Sequence, residues 1–206
     1  MPCFCSFRKE SELFGAIRAG VQQLAALPGV LSILRNGGCE QTLRNFLISE
    51  FEKKTKCTAF TEGGKRRVDI VLRCVICEEP WANVEIKSNF SSQIRDISER
   101  RGHALDQLKE AAFWATCTTH SLYLHLVTHL QASAPLSALV RVHNQHVPPY
   151  KRFLQEDILT ARQRLPIELR NSAPVVEITV PGTDGDGTSA VVLCWCFYLA
   201  DVNEFV

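Results

Sequence analysis

Glu85 and Lys87 stand two residues apart inside the largely apolar run WANVEIKSNF, residues 81–90. In an extended strand, side chains alternate between faces, so these two share one face while Val84 and Ile86 take the other. A second such run, RRVDIVL, carries Asp69 between Val68, Ile70 and Leu72, which the alternation puts on the opposite face. If the two strands pair in suitable register, two carboxylates and one ammonium converge. Adjacent carboxylates repel, and a divalent cation with oxygen ligands relieves that repulsion. An ammonium beside such a pair is placed to handle a water molecule or a developing negative charge. The plainer alternative is a solvated strand face carrying a cross-paired charge couple. The presence of Asp69, and of an acid on the preceding helix, weighs against it.

The elements that must position these groups follow from periodicity. Leu13, Phe14, Ile17, Val21 and Leu24 keep helical spacing after Ser11, and Pro28–Gly29 marks a stop, so a helix is expected over 11–27. A second helix is expected from about Cys39 to Lys54, with Leu43, Phe46, Leu47 and Phe51 on one stripe and Glu40 in its first turn. Two strands, Cys57–Phe60 and Arg67–Leu72, flank the turn-rich TEGGKR, and the strand holding Glu85 follows Pro80. A helix is expected over Ile97–Ala115, weakened early by Gly102, then a strand over Ser121–Leu130. Beyond these come a helical stretch, Tyr150–Leu165, and two strands, Ala173–Val180 and Ala190–Ala200, whose connection PGTDGDGTS suits a hairpin turn. The expected class is α/β, a mixed central sheet flanked by helices.

Asp69 in RRVDIVL, Glu85 and Lys87 in VEIKSNF, and Glu40 in GGCEQTLRNFL resemble the PD-(D/E)xK nuclease superfamily. That family places an acid on its first helix, an Asp on its second strand and Glu/Asp-x-Lys on its third. The resemblance covers roughly residues 39–130 and implies a restriction-endonuclease-like αβββαβ core. Residues 1–206 would then form a single domain, with an N-terminal helix and a C-terminal helix and strand addition after about 131. It further implies a Mg²⁺- or Mn²⁺-dependent hydrolase of phosphodiester bonds in DNA, of the restriction, repair, junction or toxin type. Asp69, Glu85, the Ile86 carbonyl and Glu40 would serve the metal, and Lys87 the attacking water. Val68 replaces the family's Pro, and Ala111 stands where the RecB branch has Tyr after a Gln, here Gln107. Glu50 is a rival for the helical acid. The alternative reading is a nucleic-acid or protein binding module that keeps the site residues without turnover.

Composition restricts the partners. The chain has 206 residues, 46 % apolar and 22 % charged, with a net charge of +1, so no global positive field draws in a polyanion. Basic residues are instead gathered locally. Lys65, Arg66 and Arg67, together with Lys53, Lys54 and Lys56, are candidate phosphate contacts, as are Arg100, Arg101 and His103. Two DNA strands suggest a homodimer. Nine cysteines form no disulfide framework, and MPCFCSFRKESELF lacks the apolar core of a secretory signal. With no apolar run long enough to cross a membrane, the expectation is a cytoplasmic protein that does not engage membranes. Cys74 and Cys77 form a C-x-x-C with no second pair, too few ligands for zinc. His143 and His146 read as surface residues, and His125 and His129 as packing or solvent-facing ones. DGDGTS lacks the closing Glu of a calcium loop, since Trp195 stands there.

Overall fold

A computed structural model describes residues 10–37, 39–55, 57–61, 68–76, 78, 80–113, 120–132, 141–142, 145–146, 155–182 and 188–199. The helices are α1 (Glu10–Ala25), α2 (Val30–Arg35), α3 (Cys39–Thr55), α4 (Ile94–Phe113), α5 (Ile158–Gln163) and α6 (Ile167–Arg170). The strands are β1 (Cys57–Phe60), β2 (Ile70–Cys74), β3 (Pro80–Phe90), β4 (His120–Ala132), β5 (Arg141–Val142), β6 (Gln145–His146), β7 (Val176–Val180) and β8 (Thr188–Leu199). Six strands form one mixed sheet in the order β1-β2-β3-β4-β8-β7, and β5 and β6 make a separate two-stranded ladder. Within the large sheet β3 and β4 run parallel, joined through α4, and the other neighbours are antiparallel. The α/β class is as expected from the residue pattern. The C-terminal strands are part of the central sheet, because β8 pairs along the whole of β4 and β7 closes the far edge.

Strand alternation divides the core. Val84 and Ile86 of β3, Leu122, Leu124 and Leu126 of β4, and Val192 and Cys194 of β8 pack on one face against α1, α2 and α3. There α1 supplies Leu13, Ile17, Val21 and Leu24, and α3 supplies Leu43, Leu47 and Phe51, all fully buried stripes at helical spacing. Gly20 lets α1 and α3 approach closely: a Cβ there would lie 2.8 Å from Leu47 Cδ2. On the opposite face Val71 and Tyr123 meet Ala104, Leu108 and Ala111 of α4. Further along that face Val127, Val191, Leu193 and Trp195 meet Ile97, Leu165 and Leu169.

Several expectations are corrected. VLSILR, to which no element was assigned from its residue pattern, folds as α2, a one-and-a-half-turn helix entered through Gly29 at φ 73°. Of the helix expected over Tyr150–Leu165, the described residues 155–165 hold only α5, Ile158–Gln163, whose first turn is capped by Asp157 Oδ1 accepting the Thr160 N–H at 2.8 Å, and α6 follows as a separate turn after Pro166. α4 begins at Ile94 and runs through Gly102, whose site is exposed and open, so the glycine costs propensity without breaking the helix. Val68 does not share a face with Ile70 and Leu72. It packs with Val71 and α4, because the chain bends at Asp69 before β2 begins at Ile70.

Candidate active site at the β2–β3 fork

β2 pairs with β3 only from Ile70 opposite Val84 back to Arg73 opposite Pro80. Beyond Val84, residues 85–90 of β3 keep β4 on one side and, among the described residues, have no strand on the other. Backbone groups of alternate residues point toward that open edge, and buried ones require partners. Carboxylates supply them. Asp69 Oδ2 accepts the N–H of Ile86 at 2.8 Å, and Glu40 Oε1, from the first turn of α3, accepts the N–H of Ser88 at 2.6 Å. The Ile86 carbonyl leaves the strand on the same edge as its N–H.

Asp69 and Glu85 are tied reciprocally. The N–H of Asp69 donates to Glu85 Oε2 at 3.2 Å, while the Asp69 carboxylate caps the residue after Glu85. Lys87 Nζ donates to Glu85 Oε1, as expected for neighbours on one strand face. Glu85 is only 1 % exposed, and burial pushes its carboxyl up to about 7, with the Asp69 charge adding to the rise and Lys87 opposing it. Asp69, Glu85, Ile86 and Lys87 are thus brought together.

Glu40 reaches the same strand one residue further on, where it also accepts from Ser88 Oγ at 3.1 Å. It makes no hydrogen bond to Asp69, Glu85 or Lys87 among the described residues. The rival acid Glu50 is directed to α1, bonded by Gln23 Nε2 at 2.8 Å and by Lys53 Nζ at 2.9 Å. Gln107 is half-buried on α4. Lys56, Lys65, Arg66, Arg67, Cys77, His143 and the DGDG turn lie outside the described residues.

Three contributors, Arg44, Tyr123 and His125, escaped the residue-pattern reading as site residues, and a fourth, Arg100, was among its candidate phosphate contacts. Arg44 Nη2 lies 3.3 Å from Asp69 Oδ1. Arg100 Nη1 lies 3.4 Å from Glu40 Oε1 and donates to the Ser88 carbonyl at 3.1 Å. Arg44 follows Glu40 by four residues, which puts both on one face of α3, and that spacing was a usable signal. Tyr123 and His125 lie beside Glu85 and Lys87 in the parallel register, fully buried, with Tyr123 Oη bonded to His125 Nδ1. Burial holds the His125 imidazole neutral, down to about 3, helped by Arg100, Arg101 and Lys87, and burial raises the Tyr123 phenol. His125 Nε2 is buried without a hydrogen-bond partner.

The donor set suits a hard divalent cation in type. Two carboxylates and a main-chain carbonyl share one edge of β3, and the buried Glu85 carboxyl is paired with Lys87. Among the described residues no three His, Cys, Asp or Glu side chains gather closely enough to hold a metal by themselves. No helix among the described residues is long and apolar enough to cross a membrane.

Compared with family models, curated proteins and solved structures, the chain matches none of them.

Proposed function

We propose that the protein is a divalent-cation-dependent nuclease with a restriction-endonuclease-like core, hydrolysing phosphodiester bonds in DNA as a cytoplasmic homodimer. The observation that carries this reading is the clasp between Asp69 and Glu85 at the fork of β2 and β3, with Lys87 bonded to Glu85. The element order α3-β1-β2-β3-α4-β4 supports it, as do the free thiols of Cys39, Cys194 and Cys196, in keeping with a reducing compartment.

Asp69, Glu85 and the Ile86 carbonyl would hold Mg²⁺ or Mn²⁺. When bound, the cation supplies Lewis-acid polarisation of a phosphoryl oxygen and charge neutralisation. Lys87 orients the attacking water and donates to the non-bridging oxygens as their charge grows. Glu85 fixes the Lys87 ammonium, and Tyr123 and His125 form the dry floor beside both. Glu40 holds the β3 edge at Ser88 and stands ready as a further acid at the rim of the site. The reaction forms one O–P bond from water and breaks one P–O bond to the leaving nucleotide.

The test is incubation of purified protein with plasmid and linear DNA, with Mg²⁺, with Mn²⁺ and with EDTA. Metal-dependent cleavage abolished by Asp69→Asn and Lys87→Ala supports the assignment, and cleavage that persists in either variant defeats it.

One observation favours a second reading, a binding module without turnover. Each candidate acid already faces a cation of the chain: Asp69 with Arg44, Glu85 with Lys87, Glu40 with Arg100. Mobility shifts of DNA without cleavage under several divalent metals would select it.

A further inference from the structure

Two of the three acids at the fork, Asp69 and Glu40, are each held in two different ways. Main-chain groups grip them closely: the Ile86 N–H lies 2.8 Å from Asp69 and the Ser88 N–H 2.6 Å from Glu40. The arginines hold them loosely, at 3.3 Å for Arg44 on Asp69 and 3.4 Å for Arg100 on Glu40. Charge-assisted N–H···O bonds at full strength are about 2.7–2.9 Å long. The carboxylates therefore belong to the β3 edge, and the guanidiniums are the exchangeable partners. Both remain reachable from solvent, Arg44 with 24 % and Arg100 with 47 % of the side chain exposed. Arg44 Nε is moreover buried without a partner, so its planar fork is not saturated by Asp69.

The two arginines converge from opposite faces of the sheet. Arg44 comes from α3 onto Asp69, whose carboxylate caps the uncovered stretch of β3, and Arg100 comes from α4 onto Ser88 within that stretch. As the fork stands, three acids balance three bases. A divalent cation held by Asp69 and Glu85 would leave two positive charges in excess, which equals the charge of two phosphodiesters. Guanidinium geometry matches phosphate oxygens in bidentate fashion.

Building on the nuclease reading, we infer that Arg44 and Arg100 are the ligands of the phosphates flanking the scissile bond. Arg44 rests on Asp69 until a divalent cation displaces it onto the polynucleotide, while Arg100, held loosely on Glu40, turns to the polynucleotide as it docks. Metal and polyanion then bind with positive coupling, and the coupling is reciprocal.

The experiment uses the full chain carrying Lys87→Ala, so that duplex DNA stays whole, alone or with Arg44→Gln or Arg100→Gln added. Calorimetry measures Mg²⁺ binding without DNA, and fluorescence anisotropy measures a labelled DNA duplex with Mg²⁺ over a series of salt concentrations. Arg44→Gln is expected to tighten Mg²⁺ severalfold, the size of losing one partly exposed competing ion pair. Each arginine variant is expected to weaken the duplex about tenfold and to reduce the salt slope by about 0.9, as loss of one phosphate contact requires. Arg100 is half exposed, so its variant is read without concern for folding. Weaker Mg²⁺ binding in Arg44→Gln, or unchanged duplex affinity and slope in either variant, overturns the inference. If the Lys87→Ala parent binds both ligands and the arginine variants equal it, this inference alone falls. If the parent binds neither, the nuclease reading falls and takes this one with it.

Discussion

The carboxylate of Asp69 occupies, on the N–H of Ile86, the place that a neighbouring strand would otherwise fill, at 2.8 Å. The same residue donates its own N–H to Glu85, so one side chain closes the sheet edge and joins the two candidate metal ligands. Folding and chemistry therefore meet at Asp69, and they can be separated. Asp69→Asn keeps an oxygen acceptor for Ile86 and is expected to fold with near-parental stability while losing Mg²⁺ binding. Asp69→Ala strands a buried donor and is expected to cost about 1–3 kcal/mol in urea unfolding. Equal stability of the two variants would contradict the edge-closing role.

On the proposed nuclease reading, Lys87 would act on charge that grows during the reaction, whereas Asp69 would act before it. Lys87→Ala is expected to lower the cleavage rate by about 10²-fold or more without weakening Mg²⁺ binding. Single-turnover kinetics beside calorimetry would show it. A variant that loses metal binding and rate together would place Lys87 in the ligand shell instead.

Glu85 makes stability depend on pH. Its folded carboxyl is raised from 4.5 to about 7 by burial and by Asp69, so the folded state binds the proton more tightly than the unfolded one. This contribution is whole below pH 4.5 and is lost as pH rises through 7, up to about 3 kcal/mol. With EDTA present, Glu85→Gln is expected to flatten the decline in unfolding free energy between pH 5 and 8. Added Mg²⁺ should restore stability at pH 8 in the parent and not in the variant.

His129 works in the opposite direction. Its Nε2 donates to the Glu156 carbonyl at 2.9 Å, so Nδ1 is left to accept from Ser91 Oγ at 2.8 Å, and the ring is neutral. Burial, with Arg164 adding, lowers it from 6.5 to about 4. Stability from this residue is full above pH 6.5 and is lost as pH falls through 4, again up to about 3 kcal/mol. His129→Gln is expected to unfold less steeply between pH 6.5 and 4 than the parent in a series of thermal melts.

Packing between α1 and α3 sets the height of α3 over β3. Gly20→Ala drives a methyl into fully buried Leu47 and is expected to cost about 1–3 kcal/mol. Leu47→Ala should cost about 2–5 kcal/mol, and the double variant less than the sum, since the cavity receives the methyl. Additive unfolding energies would rule out that contact.

Much of the scaffold was readable in residue spacing. The stripe Leu43, Leu47, Phe51 announced α3, and β1 lies at Cys57–Phe60 as its pattern implied. Alternation of Val84 and Ile86 with Glu85 and Lys87 correctly separated the two faces of β3. Val68 misled, because alternation continues only while the strand does and the chain bends at Asp69. The helix expected from Tyr150 is shorter among the described residues because Asp157, read as part of the helical run, serves as the N-cap of a helix that starts at Ile158.

The amino-acid sequence by itself determined the local periods, 3.6 for helices and 2 for strands, and hence which of its acids and bases lie on which face of each element. Tertiary structure alone decided that β8 lies between β4 and β7, that β2 leaves β3 after Val84, and that Arg44 and Arg100 come to rest on Asp69 and Glu40. Period is written in neighbouring residues by covalent geometry. Pairing between distant segments depends on which packing of all the apolar faces together buries the most surface, and no single stretch of chain carries that information.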